Sequence, residues 1–455
     1  MRSWNKKRRN KKEPAAEAAP VVPAGTALVP PAHHHYGVGV MRWYVRFVLE
    51  AATSLRAASR VLEALQGWLP GVEHAPAANT GQWWLLRLGL YELQRPKEPA
   101  ADWVWLMDHT IQIGQVKCLL IVAVRLSAWE TRGRGPLQHQ DLAVLALEPM
   151  RQSTGPQVLA QLERAVTQTG EPRAILSDAG TDLKKAMVGF REQHPAVTEL
   201  SDIKHKTALL VKAELEADAR WSAFLPLVGR TKAQVQQTEL ACLTPPSPKA
   251  KARYMNLGEL VSWGQRTLRY LDTPPESRQP AVMPNRLEAK LGWLREYCEA
   301  LGQWGGMLAV VEKTLEVIRQ DGYHREAARV LGDRLACLAH DEVTRRVAEQ
   351  AVAFVVEQSS AAVGEEHLPG STECLESLIG KGKRLEGQQS RSGFTKMVLG
   401  MAASVVEPTA EYIRTALEQV KTQDVIGWCK EKLGVSVQAQ RRLALPPLAH
   451  GTKPG

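Results

Sequence analysis

Two aspartates in strand-like runs and two glutamates at the start of a late helix are the side chains best suited to chemistry. Asp108 interrupts the apolar run "VWLMDHTIQI", and Asp178 ends the run "AILSDAG". Glu373 and Glu376 lie in "ECLESLIGKGKRLEG". Burying a carboxylate without a partner is costly, so each aspartate needs a hydrogen-bond partner, a counter-charge or a metal ion.

Carboxylates held together would suit phosphoryl transfer on nucleic acid. In the two-metal form of that reaction, carboxylates hold two Mg²⁺ ions about 3.5–4 Å apart, at the attacking and the leaving oxygen. Taken alone, each aspartate also has a structural interpretation. Asp108 could be a paired carboxylate of the core, and Asp178 could be the N-cap of a helix that begins near Asp182.

A structural role is enough to explain one of the two glutamates but not the other. Ser371 or Thr372 is the predicted N-cap, which puts Glu373 in the first helical turn, where the helix dipole favours a carboxylate by about 0.3–1 kcal/mol. That benefit is a sufficient structural reason for Glu373. Glu376 lies near the end of that turn and shares a helix face with Lys383, so Glu376 is the better candidate for a site.

Apolar runs at short spacing predict the sheet that must position the aspartates. Three neighbouring strands are predicted in "WVWLMDHTIQIG", "VKCLLIVAVRLSAW" and "LAVLALEPM". A helix over 156–169, the strand "RAILSDAG", the helix "TDLKKAMVGFREQ" and the short strand "VTELSD" follow. This order predicts a mixed α/β domain. The chain is then almost wholly helical to about residue 365.

The sequence of the N-terminal part predicts a basic tail followed by a small helical domain. Residues 1–36 pass from "MRSWNKKRRNKK" into a Pro- and Ala-rich segment that is predicted to be disordered. The stretches "TSLRAASRVLEALQG" and "NTGQWWLLRLGLYELQRP" predict two helices, the second capped near Asn79 or Thr80. The pair could be a helix-turn-helix reader of DNA or a plain helical subdomain, because its connection exceeds the roughly 3–4 residues of the compact motif.

Composition narrows the function classes only in part. The 455 residues predict two to four domains, and the net charge of +10 favours a polyanionic partner. Seven basic residues lie in the first twelve, which leaves +3 (10 − 7) for the rest of the chain. The six cysteines form no CxxC pair, which argues against a zinc site or a disulfide framework and favours a reducing cytoplasm. No run approaches the roughly 18 apolar residues of a membrane span.

Four motifs resemble those of bacterial insertion-sequence transposases of the DDE class: "WLMDHTIQIG", "AILSDAGTDLKKAM", "SDIKHK" and "ECLESLIGKGK". The resemblance covers about residues 50–400. It implies a ribonuclease H-like core in which Asp108, Asp178 and Glu376 hold Mg²⁺, or Mn²⁺ in its place. The first two are 70 residues apart (178 − 108), a typical separation for the class. Asp202 and His205 match a supporting motif of the class, although such a pair could also be a helix cap with a hydrogen-bonded histidine.

The resemblance also implies a domain order and a function. A basic tail (1–36) and a helical DNA-binding domain (37–97) would precede the first part of the core (98–220). An all-α insertion (221–366), the last part of the core with Glu376 (367–400) and C-terminal helices with a tail (401–455) would follow. The expected protein cuts and joins double-stranded DNA at the terminal inverted repeats of an element, as a homodimer or larger assembly, in the bacterial cytoplasm at the nucleoid. A catalytically silent DNA-binding descendant and a nuclease without strand joining stay open.

Basic side chains are the candidates for phosphate contacts. In related transposases a lysine follows the glutamate by seven residues, and Lys383 has this spacing from Glu376, with Lys381 close by. A second set precedes an amphipathic helix of the insertion and could equally be a solvated face. This set consists of Lys249, Lys251 and Arg253.

Overall fold

The computed structural model describes residues 29–69, 72–110, 113, 116–178, 180–249, 253–279, 282–388, 394–435 and 437–445. The side chains at 253, 255, 437 and 438 are not among the described parts. The predicted basic tail up to residue 28 therefore lies outside the described residues, as do Lys251 and the side chain of Arg253.

The described N-terminal residues contain three helices: α1 (Val38–Leu49), α2 (Leu55–Ala64) and α3 (Ala78–Gln94). Ser54 caps α2, because its hydroxyl accepts a hydrogen bond from the amide of Ala57 at 3.1 Å. The predicted cap of α3 is wrong: its N-cap is Ala77, and Asn79 and Thr80 lie inside the helix.

Five strands form one mixed sheet, and this part of the prediction is confirmed. The strands are β1 (Trp103–His109), β2 (Lys117–Arg125), β3 (Ala143–Met150), β4 (Ala174–Ser177) and β5 (Thr198–Ser201), in the order β3-β2-β1-β4-β5. β2 pairs antiparallel with β1 and with β3, whereas β4 pairs parallel with β1 and with β5. β1, β3, β4 and β5 therefore run in one direction and end at the same edge of the sheet.

The sheet is covered on both faces, which explains why its strands are apolar on both sides. Short helix α4 (Leu126–Thr131) follows β2. Helices α5 (Gly155–Thr169) and α6 (Thr181–Gln193) contribute to the core on one face, with Trp105 and Ile175. Leu106 and Leu176 point to the opposite face and belong to the larger core of the molecule.

Seven of the described helices lie between β5 and the return of the chain near Leu368: α7 (Ile203–Ala217), α8 (Ala219–Val235), α9 (Leu257–Asp272), α10 (Pro284–Leu291), α11 (Cys298–Asp321), α12 (Ala327–Leu335) and α13 (Glu342–Ser359). Aromatic rings pack where these helices meet. Trp304 is fully buried, with its ring 5.1 Å from Trp221 and 5.2 Å from Phe224. The chain then returns to the sheet region through a bridge between Tyr323 and Leu368.

The last helices pack on the first ones. They are α14 (Glu373–Gly387), α15 (Leu399–Ala403), α16 (Ala410–Gln419), α17 (Thr422–Lys432) and α18 (Val437–Ala444). Helix α3 contacts α15, α16 and α17. Glu92, which is 1% exposed, accepts a hydrogen bond from the hydroxyl of Tyr412 at 3.0 Å. The ring of Tyr36, the last residue of the predicted tail, packs 5.3 Å from Trp84. Among the described helices, none is both long and apolar enough to cross a membrane.

The contact between α3 and α15 depends on a glycine, and this gives a testable prediction. A Cβ atom on Gly89 would lie 2.0 Å from the carbonyl oxygen of Leu399. Gly89→Ala should therefore lower the free energy of unfolding by about 1–3 kcal/mol in urea titrations, since the two helices must move apart. Gly427→Ala is the matched control, because a Cβ on Gly427 in α17 has no neighbour within 4 Å. It should stabilise the helix by up to about 1 kcal/mol. Equal effects of the two changes would contradict the close packing.

Candidate active site

The pairing of β1 with β4 brings the two candidate aspartates to neighbouring positions. The strands are parallel, and Met107 stands opposite Ser177. Asp108 and Asp178 are the next residues along, so they lie side by side at the edge where β4 ends; Asp108 is still within β1, opposite Leu120 of β2. Both are half-buried.

Helix α14 lies on the side of the sheet toward which the strand pattern turns both aspartates. Side chains alternate between the faces of a strand, so Asp108 shares a face with Leu106, and the same count relates Asp178 to Leu176. Both leucines belong to the core that includes Leu375 and Leu378 of α14, and α14 contacts β1. The helix that carries Glu376 is thus part of the layer over the aspartate side of the sheet.

A backbone amide donates a hydrogen bond to the carboxylate of each aspartate. Asp108 Oδ1 accepts a hydrogen bond from the amide of His109 at 2.6 Å, and Asp178 Oδ1 accepts one from the amide of Gly180 at 3.1 Å. Gly180 is itself the N-cap of α6, so Asp178 forms a turn ahead of that helix rather than its N-cap. The turn fixes the Asp178 carboxylate at the end of β4.

Asp202 ties the start of α7 to the start of α14. Its side chain is the N-cap of α7, accepting from the amide of Lys204 at 2.9 Å. Its other oxygen accepts from the hydroxyl of Thr372 at 2.9 Å, and the amide of Ile203 donates to the carbonyl of Gly370 at 3.0 Å. Asp202 is 1% exposed. Thr372 is the N-cap residue of α14, but its hydroxyl donates a hydrogen bond to Asp202 and makes no capping hydrogen bond to its own helix.

A lysine that the sequence interpretation passed over forms ion pairs with both glutamates. Lys204 Nζ lies 2.8 Å from Glu376 Oε2 and 3.0 Å from Glu373 Oε1. Arg319 also binds Glu373, with Nη2 2.5 Å from Oε1. Burial lowers the pKa of Lys204, but the two carboxylates outweigh it and hold that pKa above its usual range. Burial raises the pKa of Glu373, and Arg319 and Lys204 reverse the shift, so that pKa is below its usual range.

The donor atoms suit Mg²⁺, but they are not gathered into a finished binding site. Asp108 and Asp178 offer the carboxylate oxygens that Mg²⁺ takes. Glu376 is paired with Lys204. In the part of the chain that the structure describes, no group of three or more His, Cys, Asp and Glu side chains is arranged to hold a metal ion. The structure therefore pairs the two aspartates and leaves the glutamate in an ion pair.

The predicted supporting and phosphate-binding residues are dispersed. His205 is half-buried in the first turn of α7, and Lys383 is half-buried on α14. Burial and the charge of Arg384 lower the pKa of Lys381. Lys249 is exposed in the loop before α9. No described contact brings these side chains to the aspartates.

A polar cluster beside Asp108 was also missed. His109 Nε2 lies 2.9 Å from the hydroxyl oxygen of Ser153 and 3.6 Å from Asp182 Oδ2. Lys117 Nζ lies 3.1 Å from the same carboxylate oxygen. Burial raises the pKa of Asp182, but Ser153, Lys117 and His109 outweigh it and lower that pKa to about 2. The cluster holds the segment after β3 against the end of β1. Only the position of His109 next to Asp108 hinted at it in the sequence.

Comparison with known proteins finds a distant similarity among solved structures. No protein-family model and no curated protein sequence matches this chain. A solved structure, the Drosophila P element transposase strand transfer complex, is similar with a TM-score of 0.41 and 10% sequence identity. The similarity covers 82% of this chain and 92% of that chain. A similarity of this size supports no inference about the site.

The far end of α14 carries a buried carboxylate whose titration can be tested. Glu386 is 1% exposed and accepts hydrogen bonds from the amide and hydroxyl of Thr395, the latter at 2.8 Å. Burial raises the pKa of Glu386 to about 7. The folded protein therefore keeps a proton between about pH 4.5 and 7 that the unfolded chain releases.

Because the pKa of Glu386 is higher in the folded protein than in the unfolded chain, its contribution to the free energy of unfolding is largest below about pH 4.5 and decreases as the pH rises to about 7. Glu386→Gln should remove this decrease. The slope of the free energy of unfolding against pH should then change by an amount equivalent to up to about one bound proton. Urea unfolding across the window measures it, with Glu349→Gln on the exposed side of α13 as the matched control. A Glu386 variant whose pH profile has the slope of the wild type would show that Glu386 is ionised throughout.

Proposed function

We propose that this chain is a DNA transposase whose core is ribonuclease H-like and cuts and joins DNA ends with Mg²⁺. One observation carries the proposal. The parallel register of β1 with β4 sets Asp108 and Asp178 side by side at one edge of the sheet, toward the layer that contains α14 and Glu376.

The sheet supports the proposed core. A DDE core of the expected kind has its first carboxylate on the first strand and its second at the end of the fourth. The strand order β3-β2-β1-β4-β5 makes those two strands neighbours, although 70 residues separate the aspartates (178 − 108). Helices α8 to α13, between α7 and α14, would be the proposed insertion before the glutamate.

Each residue has a proposed role in the chemistry. Asp108 and Asp178 would hold the metal ions, and Glu376 would complete the set after leaving Lys204. Bound Mg²⁺ would activate the attacking oxygen and stabilise the leaving oxygen of the phosphodiester. Asp202 is a positioning residue, because its bonds to α7 and to Thr372 fix where α14 begins.

The direct test uses the DNA that flanks the gene. Inverted repeats there would supply duplex end substrates, which are incubated with purified full-length protein in Mg²⁺, in Mn²⁺ and in EDTA. The expected result is metal-dependent cleavage at the repeat end, followed by joining of the 3′ end to a target plasmid. Binding without cleavage would instead favour a silent DNA-binding protein, and cleavage without joining would favour a nuclease.

A further inference from the structure

A groove lined mostly by polar and charged residues opens beside the candidate site. It has a volume of about 670 Å³ and lies between the end of β3, the segment that follows it and the outer face of α5. Arg151 and Gln152 line one side, and Gln161 and Arg164 of α5 line the other. Ala160 of α5 also lines the groove.

The groove is continuous with the edge of the sheet that carries the aspartates. β3 runs in the same direction as β1, since each is antiparallel to β2, so both strands end at that edge. The segment after β3 is also held to β1 directly: the hydroxyl of Ser153 lies 2.9 Å from the ring of His109, the residue next to Asp108. A linear ligand that leaves the groove along this edge would therefore pass His109 and reach the ends of β1 and β4, whose aspartates turn to the opposite face of the sheet.

The groove has a net positive charge. Arg151 and Arg164 are exposed, and neither forms an ion pair with another of the described residues. Its acidic residue, Glu148, is neutralised by Lys432 of α17, with Nζ 2.9 Å from the carboxylate. Two exposed guanidinium groups thus line the same open groove. Guanidinium groups bind phosphate oxygens through paired N–H donors, and the glutamine amides add neutral donors.

We propose that this groove holds the sugar–phosphate backbone of a DNA strand that passes the two aspartates. The path of the strand past the aspartates rests on the proposed function. The class of ligand, a phosphate backbone, rests on the positive charge of the groove itself. Arg151 and Arg164 each contact a phosphate. They are exposed rather than structural, so their role is to bind the strand and not to maintain the fold.

The test compares two double variants with the same change in charge. Arg151→Gln with Arg164→Gln alters the groove, whereas Arg230→Gln with Arg345→Gln removes two exposed arginines from α8 and α13. Binding of a labelled DNA duplex to the full chain is measured over a series of KCl concentrations. The groove variant should lose up to about 1.8 units of the slope of log K against log salt, at ~0.9 per phosphate contact. The control should keep the wild-type slope.

The outcomes separate this proposal from the proposed function. A groove variant with the slope of the control overturns the proposal, whether or not the wild type cleaves DNA. A reduced slope in a protein that cleaves nothing supports the groove as a DNA site and counts against the transposase. Polyglutamate serves as a second probe. If it loses affinity in the groove variant while the duplex does not, the groove binds acidic protein segments and the proposal fails.

Discussion

Asp108→Asn and Asp178→Asn should each reduce metal-dependent strand cleavage by more than about 100-fold, with binding of DNA ends changed by no more than a few-fold. Asparagine keeps the size of the side chain and the oxygen that accepts from the neighbouring amide, of His109 in one case and of Gly180 in the other. The fold should therefore survive, while a metal ligand is lost. Phosphate contacts elsewhere supply most of the affinity for DNA.

Asp182→Asn provides the matched control for these two variants. It is the same change of chemistry four residues after Asp178, in a carboxylate that already pairs with Lys117. Its cleavage rate should stay within about tenfold of the wild type, the low end of the 10–100-fold effect of outer partners of a metal site. Cleavage is followed on a labelled end substrate in Mg²⁺, with thermal unfolding as the check on folding. Normal cleavage by either of the first two variants would remove that aspartate from the site.

Glu376→Gln should lose metal-dependent cleavage by more than about 100-fold and remain folded, whereas Glu373→Gln should lose stability and keep most of its cleavage. The structure changes the reason for the second half of this expectation. Glu373 is bound by Arg319 and by Lys204, so its role exceeds the helix-dipole benefit expected from the sequence. Removing its charge should lower the free energy of unfolding by about 1.5–3 kcal/mol.

The measurement pairs urea unfolding with cleavage of a pre-formed end substrate for both glutamate variants. The two glutamates are one turn apart and share Lys204, so each variant controls for the general effect of removing a negative charge there. An inactive Glu373 variant beside an active Glu376 variant would transfer the proposed metal-binding role from one carboxylate to the other.

Local patterns in the sequence were enough to predict the strands and helices, but not the contacts that side chains make between them. Apolar runs predicted the strand that contains Asp108 and the strand that ends before Asp178, since burial on both faces leaves a continuous apolar pattern. The partners of Glu373 and Glu376 depend on how α14 docks on α7. Lys204 and Glu376 are 172 residues apart, and no periodicity connects residues at that distance. For the same reason Asp202 could be singled out from its motif, whereas its bond to Thr372 could not be foreseen.

The cap of α3 shows a second limit. Asn79 and Thr80 have the side chains that usually cap helices, but the helix begins before them, at Ala78. Packing decided this boundary: Gly81 lies so close to the ring of Tyr44 that a Cβ would overlap it, which holds the first turn of α3 against α1. Tertiary contacts therefore overrode the local preference.

The packing of α3 on the last helices has a consequence for the order in which the chain becomes folded during synthesis. Arg87 of α3 donates to the carbonyl of Val420 at 2.5 Å, across 333 residues of sequence. While a ribosome is still making the middle of the chain, the side of α3 that will meet α15 and α16 has no partner. The sheet can assemble earlier, because β1 to β5 lie within about a hundred consecutive residues. Translation thus separates the two events: the carboxylate-bearing sheet can form first, and the helical layer that contains α3 is completed only after α15 and α16 have been made.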